Sequence, residues 1–191
     1  MHATFASSLW PAVGSNRLYQ VLLALAGSAL LFVSAQVQIP TQPVPFTLQS
    51  LVLLLIGAAY GPWLGAATVL LYIVEGLAGL PVFQGFQTGA QVYYTAGYLA
   101  GFPIAAFVAG WFTRANRLQA VLPALLTALV VFLVADAIVF ALGFTWLANL
   151  IGSEKAWAGG VAPFLVWDAL KVGIAALITT GAWRTVGGNT A

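Results

Sequence analysis

The sequence predicts an all-α integral membrane protein, a six-transmembrane-helix bundle with both termini in the cytoplasm. Three observations predict it. Only ten of 191 side chains are charged, apolar stretches of spanning length alternate with breakers, and four arginines fall on one side of the resulting bundle. A soluble domain carries about 25% charged residues; here 5% are charged and 62% are apolar. So few charges cannot cover the surface of a soluble enzyme, and disordered chains are polar and poor in aromatics. Both classes are excluded.

A transmembrane helix needs about 20 apolar residues to cross about 30 Å of hydrocarbon. The first sixteen residues hold no Lys or Arg and no apolar run. They read as a cytoplasmic tail (1–16) with Trp10 at the interface, not as a cleavable signal. One membrane domain follows (17–184), then a short tail (185–191). The first span covers 18–36 and ends at the proline-rich 39–45. The second starts near Phe46 and stops at Tyr60-Gly61-Pro62, because proline cannot continue a helix. The third covers 63–80 and ends at Pro81. Residues 82–95, rich in Gln, Gly and Tyr, read as a loop or re-entrant segment. The fourth covers 96–112, the fifth 120–142 with 143–160 as an external segment, and the sixth 163–183.

Charge tests this count independently. Six spans put Arg17, Arg114, Arg117 and Arg184 on one side and Lys155 beside Glu154 on the other. The positive-inside rule makes the arginine side cytoplasmic. Trp10, Trp63, Trp111, Trp167 and Trp183 fall near span ends, as interfacial belts require. Small residues recur every four positions at Gly57, Gly61 and Gly65 and at Gly97, Gly101, Ala105 and Ala109, the pattern by which helices approach closely in lipid. Ala24, Gly27 and Ser28 form a shorter patch that suits either bundle packing or a partner helix.

Several chemistries are excluded. A net charge of +2, widely spread, does not suit nucleic acid. Without cysteine there is no disulfide, thiolate metal site or Cys nucleophile, and His2 is the sole histidine. Neither lysine sits in a phosphate-binding loop, so the chain is expected to hydrolyse no nucleotide, to need no cofactor and to be no enzyme.

Four ionisable groups remain at membrane depth: Glu75, Asp136, Asp168 and Lys171. Such groups are expensive there and mark a site by default. Asp168 and Lys171 are three apart and share a helix face. They are either a self-neutralising pair or a site in which Lys171 meets an anionic ligand while Asp168 orients it. Glu75 is an interfacial acid or a ligand contact, and Asp136, with no charged neighbour in sequence, ranks below the others. Gln84, Gln87, Gln91, Tyr93 and Tyr94 donate and accept hydrogen bonds, and suit a urea or amide if they are more than a polar loop. Phe83, Phe86 and the tryptophans can supply apolar walls. One cation, several amides and many aromatics suit a small amphipathic acid.

At this point a family resemblance becomes visible. Val44-Pro45-Phe46-Thr47-Leu48-Gln49, Gly76-Leu77-Ala78-Gly79-Leu80-Pro81-Val82-Phe83, Ala96-Gly97-Tyr98-Leu99-Ala100-Gly101-Phe102 and Pro163-Phe164-Leu165-Val166-Trp167-Asp168-Ala169-Leu170-Lys171 resemble, in order, the motifs of the BioY family. These are the substrate-binding (S) subunits of energy-coupling factor biotin transporters. The resemblance implies a six-helix subunit that takes biotin from the outer face, with Asp168 and Lys171 contacting it and Lys171 near its carboxylate. It implies a transmembrane coupling subunit and two ABC ATPases as partners, in the cell membrane. It also gives the Ala24/Gly27/Ser28 patch a docking role. The 84–96 segment departs from the family's Gly-rich run, so its ring contacts are not carried over. The alternatives are a subunit for another amphipathic vitamin or acid, and an intramembrane acid–base enzyme using Asp136 and Asp168.

Overall fold

The computed structural model describes residues 4–14, 16–89, 92–115 and 121–187. In chain order these form α1 (Phe5–Leu9), α2 (Arg17–Gln36), strands β1 (Gln38–Ile39) and β2 (Phe46–Thr47), α3 (Gln49–Tyr60), α4 (Pro62–Leu77), α5 (Ala96–Ala115), α6 (Val121–Ile151), α7 (Ser153–Gly160) and α8 (Leu165–Gly187). The chain is an all-α membrane-type bundle. Arg17–Gln36, Val121–Ile151 and Leu165–Thr185 are long and apolar enough to cross a membrane, and Gln49–Tyr60 and Pro62–Leu77 are shorter apolar helices.

Local chemistry sets several boundaries. Thr4 and Ser7 exchange side-chain and backbone hydrogen bonds in a capping box that starts α1. Asn16 caps α2 by accepting from the Leu18 N–H. Gly61 has φ +82°, which glycine alone adopts without strain, and Pro62 occupies the first position of α4. The α3–α4 hairpin is therefore written into three residues, Tyr60-Gly61-Pro62.

Packing is inside-out relative to a soluble bundle. Leu22, Val33, Leu70, Val130, Leu133 and Leu177 are exposed on the outside, while small residues bring the backbones together. A Cβ on Gly57 would meet the Ala106 carbonyl, and one on Gly110 would meet Gly61, so α3 and α5 run side by side in the same direction. One on Gly97 would meet Trp146, and one on Gly101 would lie 2.9 Å from the Val139 Cα, so α5 and α6 are antiparallel. The glycine and alanine stripes act as bundle contacts, as close approach in lipid requires.

The structure corrects the boundaries in three places. The fifth helix does not stop at 142 but continues to Ile151, and Ser153–Gly160 is helical too. Gly143, which looked like a break, is a packing position: a Cβ there would land on the Tyr98 ring. The second helix begins at Gln49, because Phe46 and Thr47 pair antiparallel with Ile39 and Gln38. At 1.5 Å per residue its 12 residues reach only about 18 Å. Finally, residues 5–9 of the expected tail form a helix against the end of α8, where the Phe5 and Trp183 rings lie 5.6 Å apart.

Candidate functional site

At the end of the bundle remote from Arg17 and Arg184, the 37–48 connection, Gln84, Thr95 and the start of α8 converge around a cavity of about 70 Å³. Its apolar walls come from Val44, Tyr98, Leu99, Phe102, Val139, Phe140 and Phe164. Phe164 is fixed by stacking on Phe46 at 4.0 Å and by edge contact with Phe140 at 6.3 Å. Tyr98 is wedged against Gly143 and donates its hydroxyl to the Gly160 carbonyl at 2.8 Å. These rings are held, not loosely placed.

The polar end is built by α3 and α8. Asp168 lies in the first turn of α8, where the helix dipole favours an anion, and Lys171 follows one turn on. Lys171 Nζ donates to Asp168 Oδ1 at 3.0 Å and to Ser50 Oγ at 3.1 Å, while the Ser50 hydroxyl donates to the same Asp168 oxygen at 2.7 Å. The ion pair is almost fully withdrawn from solvent, with side-chain exposures of 13% and 6%. An ammonium has three N–H donors. Two are used here among the described residues, which leaves one for a ligand.

Other polar groups complete the lining: Thr47, Gln49, Gln84, Thr95 and Asp136. Gln49 donates to the Tyr72 hydroxyl at 2.9 Å, which donates to the Val82 carbonyl at 3.0 Å. Gln84 donates to Thr95 Oγ1 at 3.3 Å and reaches Gln87 Oε1 at 3.5 Å.

The sequence-predicted residues separate into groups. Asp168, Lys171 and Gln84 line the cavity. Gln87 stands behind Gln84. Phe83 is fully buried in the core, edge-on to Tyr72 at 5.4 Å and against Gly76. Tyr94 is exposed and packs on Tyr93. Glu75 lies outside the cavity lining and accepts a hydrogen bond from Ser28. Gln91 lies outside the described residues.

That Ser28–Glu75 bond places part of the Ala24/Gly27/Ser28 patch inside the bundle. Ser28 is 2% exposed and faces α4, and Gly27 is buried against Thr68 and Tyr60. Ala24 is half-buried. Sequence reasoning did not single out Ser50, Gln49 and Tyr98 and placed Asp136 below the other ionisable groups; all four line the cavity. The available signal was two polar residues, Gln49-Ser50, opening an otherwise apolar span. The structure also brings Asp136 and Asp168 to one cavity, but Asp168 is committed to Ser50 and Lys171.

Comparison with known proteins agrees with this architecture. The model of the BioY family matches residues 7–188. A probable biotin transporter BioY of Pyrococcus horikoshii is 38% identical over 161 residues, covering 83% of this chain and 93% of its own. The biotin transporter BioY of Thermotoga maritima is 36% identical over 162 residues, covering 83% and 92%. Among solved structures, the S-component for biotin from an ECF-type ABC transporter superposes with a TM-score of 0.70 at 20% identity, covering 88% of this chain and 92% of that one. At that identity the superposition speaks for the fold. With a family match spanning nearly the whole chain and relatives above one-third identity over most of it, the chain belongs to the BioY family.

Proposed function

We propose that this chain is the membrane subunit that captures biotin from the outer face and delivers it inward with an energy-coupling module. Family membership and the relatives named as biotin transporters support the ligand class. The observation that carries the reading is the Ser50–Asp168–Lys171 arrangement beside a wall of fixed aromatic rings. Biotin is a carboxylate on an apolar tail with a neutral ring urea. Its carboxylate meets the remaining Lys171 N–H, while Asp168 and Ser50 hold the ammonium in place and neutralise it when the cavity is empty. Phe102, Phe140 and Phe164 cover the tail and ring. Gln84, backed by Gln87, offers an amide to the urea, and Gln91 and Tyr94 belong to the same segment. Phe83 and Glu75 act at a distance, one as core beneath that segment and the other as the anchor of α2 on α4.

All six main helices cross the membrane in this reading, with the extended 37–48 connection completing the α3 pass. Irregular backbone is tolerated at depth where it lines a cavity, and Val44, Pro45 and Thr47 do so. Arg17 and Arg184 then lie in the cytoplasm of a cell-membrane protein, and the cavity faces outward. A transmembrane coupling subunit and two ABC ATPases supply energy that this chain, without a nucleotide-binding motif, does not.

Biotin uptake by cells expressing the chain with and without a coupling module tests the proposal. Saturable binding by the chain alone, with accumulation only when the module is present, is the expected result. Absence of saturable biotin binding would overturn it.

A further inference from the structure

We infer that Asp136 is a ligand-contacting residue, the acceptor that reads an N–H of biotin's ring urea and so sets specificity for the neutral head. This rests on the biotin reading above.

Asp136 sits on α6 one turn before Val139 and Phe140, and all three line the cavity. It is only 9% exposed. Its charged neighbours are Asp168 and Lys171; neither hydrogen-bonds it, Asp168 being held by Ser50 and Lys171, and the one N–H that Lys171 has left being the one assigned above to the ligand carboxylate. The remaining polar lining is committed as well: Gln49 to Tyr72, Tyr98 to Gly160, Thr95 to Val92 and Gln84 to Thr95. Among the described residues none donates a hydrogen bond to Asp136. A carboxylate withdrawn from water without donors is strongly unfavourable, and an ionisable group inside a membrane bundle faces a pathway or a ligand. The missing partner is therefore a donor that arrives with the ligand. Biotin's carboxylate cannot supply it, because a carboxylate has no hydrogen to donate; its ring N–H groups can. A site that hydrogen-bonds such a group rejects the analogue lacking it, since the buried acceptor is then left unpaired.

The test is a cycle between protein and ligand. Biotin is compared with its two ring-lactam analogues, in each of which one urea N–H is replaced by an isosteric CH₂. Wild type is expected to prefer biotin to one of the lactams by about tenfold or more. In Asp136→Ala that preference is expected to fall to near unity, because a double cycle isolates the lost pairing. Asp136→Asn, which preserves shape, is expected to reduce it in the same direction. A preference unchanged in both variants, or no discrimination by wild type that binds biotin, overturns the inference and leaves the biotin reading standing. No biotin binding by wild type overturns both.

Discussion

Ser50 and Lys171 stand 121 positions apart in the chain, yet the Lys171 ammonium donates to the Ser50 hydroxyl at 3.1 Å. The same hydroxyl donates to Asp168 Oδ1 at 2.7 Å. One serine on α3 thus ties Asp168 and Lys171 of α8 together and leaves the ammonium a single direction for its last N–H.

Removing that hydroxyl leaves Asp168 and Lys171 joined only to each other. Ser50→Ala is expected to weaken biotin binding about tenfold, the effect of losing hydrogen bonds to charged groups. Calorimetry on the purified variant measures it. An affinity within about twofold of wild type would remove Ser50 from the site.

Glu75 faces Ser28, not the cavity. Ser28→Ala is expected to lower the Tm in detergent, because the half-buried Glu75 carboxylate loses its donor, while the Kd for biotin stays within about twofold. A large loss of affinity at unchanged Tm would place Glu75 in the binding machinery after all.

Tyr98 and Gly143 make a second connection between packing and site. A side chain at 143 must displace the Tyr98 ring, and overpacking of this kind costs about 1–3 kcal/mol. Gly143→Val is expected to lower both Tm and biotin affinity, since Tyr98 lines the cavity. Gly181→Ala, with nothing within 4 Å of the new Cβ, is the control that leaves both unchanged.

Because the chain has no cysteine, introduced thiols report topology without background. Ser153→Cys and Thr185→Cys are both at exposed positions. A membrane-impermeant maleimide is expected to label the first in intact cells and the second only after permeabilisation. Labelling of both from outside would contradict a membrane crossing by α8.

Much of this bundle is legible in the sequence, and the failures have physical causes. Tyr60-Gly61-Pro62 announces its turn because proline and a positive-φ glycine act locally. Gly143 misleads because the same residue type serves close packing, and only the facing Tyr98 ring distinguishes the two uses. Asp168 and Lys171 are visible as a pair because three residues on a helix make them neighbours. Ser50 is invisible as their third member, since nothing in an isolated α3 segment says which helix it will face. For the same reason Glu75 could not be matched to Ser28, 47 positions away, and small size alone could not tell an inward patch on α2 from an outward one.

The most direct test of the account is a calorimetric titration of biotin into purified wild type and Lys171→Ala side by side. Wild type is expected to saturate, and the variant to bind about a hundredfold more weakly, as truncating one partner of a buried charge pair does. Equal affinities, or no binding by either, would contradict the assignment of the Ser50–Asp168–Lys171 cavity as the place where biotin is held.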